Sequence, residues 1–276
     1  MRDMFNPAPA ARAVAILAAG VFAGGALVGC QPSSAAAGCA NGGGCGGAAA
    51  GDGDALADGD GGSAMPGLVA AYDFDQAAGS VAIDSSGNFN NAGLVGQVTW
   101  GTGHVGSDAD FMGGYVILPP GILDDARAFS FAAWIKLRTD RIWQRVFDFG
   151  NNTTDYLFLT PHSSADTFRL AITRGGAGAE QQLEGPTPVP TGVWKHVAVV
   201  LTGSSGALYL DGQPVAASAD VTLRPADVAP MGNLWMGRSE FGTDPSLDGE
   251  IDQVRIYDRA LSAAEVLSLF GAAAAP

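Results

Sequence analysis

The sequence predicts one all-β domain over residues 67–271, built as an antiparallel sandwich or barrel with a short C-terminal helix. Three observations predict it. Short apolar runs recur between turn residues with no helical stretch among them, which excludes alternating strand–helix units. The chain holds 40 glycines against only 15% charged residues, a composition suited to many turns. An Asp-Gly pair, Asp211-Gly212, splits two apolar runs as a tight hairpin requires.

Leu68 to Phe74 is the first such run. Phe129 to Leu137 is the clearest: alternation puts Phe129, Phe131, Ala133, Ile135 and Leu137 on one buried face, with Ser130, Lys136 and Arg138 opposite. Val193 to Leu201 is more uniformly apolar and rich in β-branched residues, the pattern of a central strand buried on both faces. Leu208 to Leu210 enters the hairpin and the chain resumes at Val215, with Pro214 pushing the return towards a sheet edge. Further short runs lie at Tyr115 to Leu118, Val146 to Phe149, Tyr156 to Leu159, Phe168 to Ile172, Leu234 to Met236 and Val254 to Tyr257. The one predictable helix starts at Ser262, whose partner Glu265 completes a capping box while Leu261 staples onto Val266. It should run about two turns.

The first 66 residues have another character. Arg2 and Arg12 precede the uncharged run Ala13 to Leu27, too short for an ordinary membrane span and suited to the apolar core of a signal peptide over residues 1–29. Leu27-Val28-Gly29-Cys30 resembles the lipobox of bacterial lipoproteins, which implies diacylation of Cys30 and cleavage before it. Several acyl chains on one residue give stable anchoring, and Gln31 suits onward passage to an outer membrane. The expected location is the bacterial cell envelope, at the outer membrane or cell surface, with the lipid membrane as partner through Cys30. Residues 30–66 are Gly, Ala, Ser and Asp with almost no large apolar side chain, so they read as a flexible tether with a reach of roughly 30–35 Å. Cys39 and Cys45 lie inside it and either pair or remain thiols. The Asp-Gly pairs between Asp52 and Asp60 lack the spaced ligands and closing Glu of an EF-hand and read as an acidic spacer.

All three cysteines precede residue 46, so the domain holds itself by packing alone. A formal charge of −14 with only 14 basic residues excludes nucleic acid as a sequence-independent partner. It is, however, a natural setting for hard cations. The loop Asp84 to Asn91 gathers one carboxylate, two hydroxyls and three Asn amides around Gly87, which makes Asp84 and Asn88 candidate Ca²⁺ ligands; the same residues equally suit a turn that bonds its own backbone. His104, His162 and His196 have no zinc or triad spacing, and His196 reads as structural. Trp143, Tyr156 and Trp235 could form a stacking platform for sugars, although Trp134 and Trp194 read as readily as core.

Four segments taken together resemble a known family. They are Tyr72-Asp73-Phe74-Asp75 with Asp84 to Asn88, Gly192 to Ala198 with Leu208 to Gly212, Gly249 to Tyr257, and Arg259 to Ser262. Over about residues 67–270 their order and spacing are similar to the laminin-G-like, concanavalin A-like jelly-roll domains of bacterial surface proteins. The resemblance implies a two-sheet antiparallel jelly roll, often calcium-bearing, with Asp252 as a second carboxylate that stitches the two ends of the domain together. Glu250-Ile251-Asp252 also resembles the start of the catalytic strand of laminarinase-type glucanases. Retention needs a second carboxyl about 5–5.5 Å from the first, and the positions that would carry it are Val254 and Arg255. The expectation is therefore a non-catalytic, calcium-stabilised surface module for glycan binding or adhesion. Its rivals are a structural, protein-binding component of the envelope and, more remotely, a divergent glycoside hydrolase.

Overall fold

Sixteen strands divide between two sheets in the computed structural model, which describes residues 66–272. The signal run, Cys30, Cys39, Cys45 and the tether up to residue 65 lie outside the described residues. The strands begin with β1 (Leu68–Tyr72), β2 (Val81–Ala82), β3 (Ala92–Val95), β4 (Val98–Thr102), β5 (Ser107–Met112) and β6 (Tyr115–Ile117). They continue through β7 (Phe129–Leu137), β8 (Phe147–Gly150), β9 (Asp155–Thr160), β10 (Arg169–Arg174) and β11 (Gln181–Glu184). The last are β12 (Lys195–Leu201), β13 (Gly206–Leu210), β14 (Gln213–Ser218), β15 (Asn233–Met236) and β16 (Asp248–Tyr257). A single helical turn, α1 (Pro225–Val228), precedes β15, and α2 (Ala263–Ala272) closes the described chain.

The first sheet has the order β14-β13-β12-β7-β16-β5-β4, with β1 beside the second half of β16. The second sheet runs β11-β10-β9-β8-β15-β6-β3-β2. All pairings between these strands are antiparallel, as a two-sheet jelly-roll sandwich requires. The inner faces meet in one apolar core, where Phe131 packs on Phe147 with ring centroids 4.6 Å apart and Phe147 stacks on Phe149 at 4.5 Å. Each such ring contributes roughly 2 kcal/mol by leaving water.

The Asp211-Gly212 hairpin forms as the dipeptide dictates, with φ of 50° and 74° at its two central residues. Pro214 indeed lies on the edge strand β14. The capping box also forms: the Glu265 N–H donates to Ser262 Oγ (3.2 Å) and the Ser262 N–H to Glu265 Oε2 (2.7 Å).

Two expectations change. β7 is buried on both faces, not one, because α2 and its approach cover the side that Ser130 occupies. Ala132, Ala198 and Val200 are small enough there to admit Leu261 and Val266 from the helix segment, and this is why β12 is apolar from Val197 to Leu201. Ser130, fully buried, receives the Leu261 N–H (2.9 Å) and donates to the Arg259 carbonyl (2.8 Å). The second change is at Val193, which is 48% exposed because β12 starts only at Lys195. Among the described residues no helix is long and apolar enough to cross a membrane.

Ser130→Ala should leave the Leu261 N–H buried without a partner and cost about 2 kcal/mol. Urea denaturation checks this, and an unchanged midpoint would mean that the helix is held by its apolar contacts alone.

Candidate functional site

The outer face of the second sheet carries one row of residues in strict register: Ala171 on β10, Phe158 on β9, Asp148 on β8, Trp235 on β15 and Ile117 on β6. Paired residues share a face, so a carboxylate stands in the middle of an apolar row. The sequence places it there locally, since Phe147 and Phe149 point into the core and alternation sends Asp148 outwards. Around the row stand Tyr156, Trp143 and Phe241 on one side and Tyr115 on the other. Tyr156 meets Phe158 (5.5 Å, stacked) and Phe241 (5.5 Å, edge-on), while Tyr115 meets Trp235 at 5.9 Å.

Arg145 holds this face together. Only 2% exposed, it donates through Nε to Asp148 Oδ2 (3.2 Å), through Nη2 to Asp244 Oδ2 (2.8 Å) and through Nη1 to the Trp143 carbonyl (2.8 Å). Its guanidinium lies 4.0 Å from the Phe158 ring centre. Burial drives the Asp148 carboxyl up to about 7, against the pull of Arg145 and of the Glu240 N–H. Burial likewise raises Glu240, and Tyr156 is raised by burial and by its 2.5 Å hydrogen bond to Glu180.

Two backbone features position the aromatic groups. Trp143 adopts φ 70°, a conformation that costs a bulky residue on the order of 1–2 kcal/mol, and is held there by the His162 carbonyl at 2.8 Å. Gly237, at φ +85°, starts the loop that carries Arg238 to Asp244; a Cβ there would lie 2.5 Å from the Phe111 ring. The loop divides the face into two hollows. One of about 180 Å³ is lined by Trp143, Arg145, Phe158, Glu180, Phe241 and Asp244. The other, about 260 Å³, is lined by Tyr115, Trp235, Arg238, Glu240, Phe241 and Asp244. Ring faces beside hydrogen-bonding groups fit a ligand with a flat C–H surface and a polar rim.

The acids singled out from the sequence lie elsewhere. Asp84 accepts four hydrogen bonds, from the Ala71, Ser86 and Asn90 N–H groups and Ser86 Oγ, all at 2.8–2.9 Å. The Asn88 amide donates to the Leu68 (2.7 Å) and Val69 (3.0 Å) carbonyls. Asp252 accepts instead from the Val105 (2.9 Å) and Gln253 (2.7 Å) N–H groups. Asp84 and Asn88 share Ser86, whose Oγ donates to Asp84 and accepts from the Asn88 amide, whereas the Asp252 network has no residue in common with them. The structure brings Asp84 and Asn88 together in one loop network and places Asp252 in another.

Asp252 is fully buried and lifted to about 7 by burial, with Asp75 and Asp108 adding repulsion. Asp108, also fully buried, is lifted to about 6 by burial and by Glu250 and Asp110. Glu250 is bound by Lys136 (2.8 Å) and Arg138 (3.5 Å). Val254 is buried in the core, and Arg255 pairs with Asp73 at 2.5 Å. Neither position supplies a second catalytic carboxyl.

The profile of the Concanavalin A-like lectin/glucanases superfamily matches residues 110–267, more than half of the chain. The chain belongs to this superfamily. Among solved structures, one similar in fold is domain 4 of AbnA, a GH43 extracellular arabinanase from Geobacillus stearothermophilus, in complex with arabinotriose. It has a TM-score of 0.64 and 23% identity, covering 73% of this chain and 97% of that one. Trypanosoma rangeli sialidase matches with a TM-score of 0.56 and 21% identity over 75% of this chain and 32% of its own. The binding domain of Paraclostridial Mosquitocidal Protein 1 matches at 0.57 with 15% identity, over 75% of this chain and 52% of its own. At these identities the likeness is one of fold. A curated relative from Rattus norvegicus, the sushi, von Willebrand factor type A, EGF and pentraxin domain-containing protein 1, is 26% identical over 167 residues. The match takes in 56% of this chain and spans 4% of that protein's length.

Two outcomes follow for the acids of this superfamily domain. Asp84→Ala should cost about 3 kcal/mol through its stranded donors, equally in calcium and in chelator; a loss seen only in calcium would place the metal at Asp84. A carboxyl raised in the folded state destabilises increasingly as pH climbs from the unfolded value near 4 to its folded value. Asp108→Asn should therefore gain about 2 kcal/mol at pH 7.5 and nothing near pH 4, read by urea denaturation at both; an equal gain at both would contradict the assignment.

Proposed function

We propose that the domain is a non-catalytic glycan-binding module and that the outer face of the second sheet is its binding face. The observation that carries this reading is the pair of hollows on either side of Phe241, each with aromatic walls and fixed carboxylate and guanidinium groups. Pyranose and furanose rings offer C–H patches to aromatic faces and hydroxyls to such groups. Superfamily membership and a fold shared with an arabinotriose-bound domain and with sialidases support it. The two hollows share Phe241 and Asp244, so neighbouring sugar units of one chain would lie on either side of that loop. In the same reading, lipidated Cys30 and the tether would display the module from the bacterial envelope.

Phe241→Ala and Trp143→Ala should each weaken binding to a polysaccharide by about 5–30-fold, equivalent to about 1–2 kcal/mol of stacking. Trp194→Ala on the first sheet should not. Affinity electrophoresis over a panel of plant, fungal and bacterial polysaccharides, with melting temperature as a fold control, reads this directly. Uniform failure of the wild type to bind would favour the protein-binding alternative.

A further inference from the structure

Building on that reading, we infer that the binding face selects uncharged glycans and rejects acidic ones such as uronates and sialates. The selection comes from the excess of carboxylates over guanidinium groups on the face and from how most of those groups are already committed. Arg145, the group best shaped for a carboxylate fork, points that fork inwards: Asp148 and Asp244 occupy its Nε and Nη2, and the Trp143 carbonyl takes Nη1. At 2% exposure it has no edge left for a ligand anion. Arg169 and Arg238 are the other cations of the face: Arg169 lies 5.4 Å from the Trp143 ring centre and is paired with Glu184, while Arg238 is exposed. Arg238 is stacked over Trp235 (4.3 Å) and Tyr115 (4.8 Å), with Glu240 close enough for the two charges to interact.

Against these three guanidinium groups stand Glu180, Glu184, Glu240 and Asp244. Three of them are fixed by neutral donors: Tyr156 holds Glu180 (2.5 Å), Asn233 holds Glu240 (2.9 Å) and Ser239 holds Asp244 (2.8 Å). These three carboxylates cannot swing away from an incoming anion without losing those bonds. Their remaining lone pairs are acceptors, which suit the hydroxyl donors of a neutral sugar and oppose a second carboxylate. A ligand carboxylate about 5–8 Å from one uncompensated charge, at an effective dielectric near 20, is held at least about tenfold more weakly. The chain's net charge of −14 adds repulsion at longer range.

The test uses the full chain and matched pairs of polysaccharides: pectic galacturonan, alginate and hyaluronan, each beside its carboxyl-reduced form, together with a panel of neutral glycans. Each pair keeps linkage and size and differs in charge alone. We expect the neutral member of every pair that binds, or the neutral panel alone, to be held at least about tenfold more tightly than any acidic one. Raising salt from about 0.01 M to about 1 M, which shortens the screening length from about 30 Å to about 3 Å, should narrow the gap. The double variant Glu180→Gln/Glu240→Gln should narrow it at low salt while leaving the aromatic walls in place. Equal or tighter binding of acidic members overturns the charge selection and leaves the glycan reading standing. Binding of no glycan, charged or neutral, overturns both.

Discussion

Arg145 is a guanidinium removed from water, and removing it costs several kcal/mol that only a full set of partners can offset. Those partners come from separate pieces of chain: the Trp143 carbonyl before β8, Asp148 on β8, Phe158 on β9 and Asp244 beyond β15. Because the offset needs all of them together, the pair of hollows exists as one rigid unit. Truncating one partner would leave the others' charges buried and unpaired, at a cost of about 3–5 kcal/mol. Rigidity of this kind favours binding, since little ordering remains to be done when a ligand arrives.

The two sheets divide their labour by what covers them. On the first, the small side chains of Ala132 and Ala198 let the α2 segment settle onto the outer face, where Val266 packs on the strands and Phe270 stacks on Trp134 with centroids 5.5 Å apart. Further along that face stand ion pairs such as Lys136 with Glu250 and Arg138 with Asp110. The second sheet has aromatic groups and fixed charges at the corresponding level, left half-open between the Trp143 turn and the Arg238 to Asp244 loop. Glu250 and Asp252, which look catalytic as a string of letters, stand on the covered sheet, where their neighbours neutralise or bury them.

Much of the fold was legible because its signals are local. Alternation found the core face of β7, two positive-φ residues fixed the hairpin at Asp211-Gly212, and a three-residue spacing fixed the cap at Ser262. The strands β2 to β5 and β11 escaped notice. They are short, and Ala92-Gly93-Leu94-Val95 or Gln181-Gln182-Leu183-Glu184 owe their extension to pairing partners rather than to their own side chains. Burial of Ser130 was invisible for the same reason, since the helix that covers it lies 130 residues downstream in the chain. At the site, composition singled out Trp143, Tyr156 and Trp235, and the structure does set all three around Asp148. Arg145, Phe158, Phe241 and Asp244 could not be joined to them from sequence, because their association depends on the register of β8, β9 and β15 and on where one loop returns. Only Asp148 left a trace, as a lone acid between two core phenylalanines.

The most direct measurement is a proton–nitrogen NMR titration of the five tryptophan indoles with the neutral polysaccharide fragments that bind best. The indole signals of Trp143 and Trp235 should shift together with ligand and saturate at one affinity, while those of Trp100, Trp134 and Trp194 stay in place. Shifts confined to Trp134 or Trp194 would put the ligand on the first sheet and contradict the account.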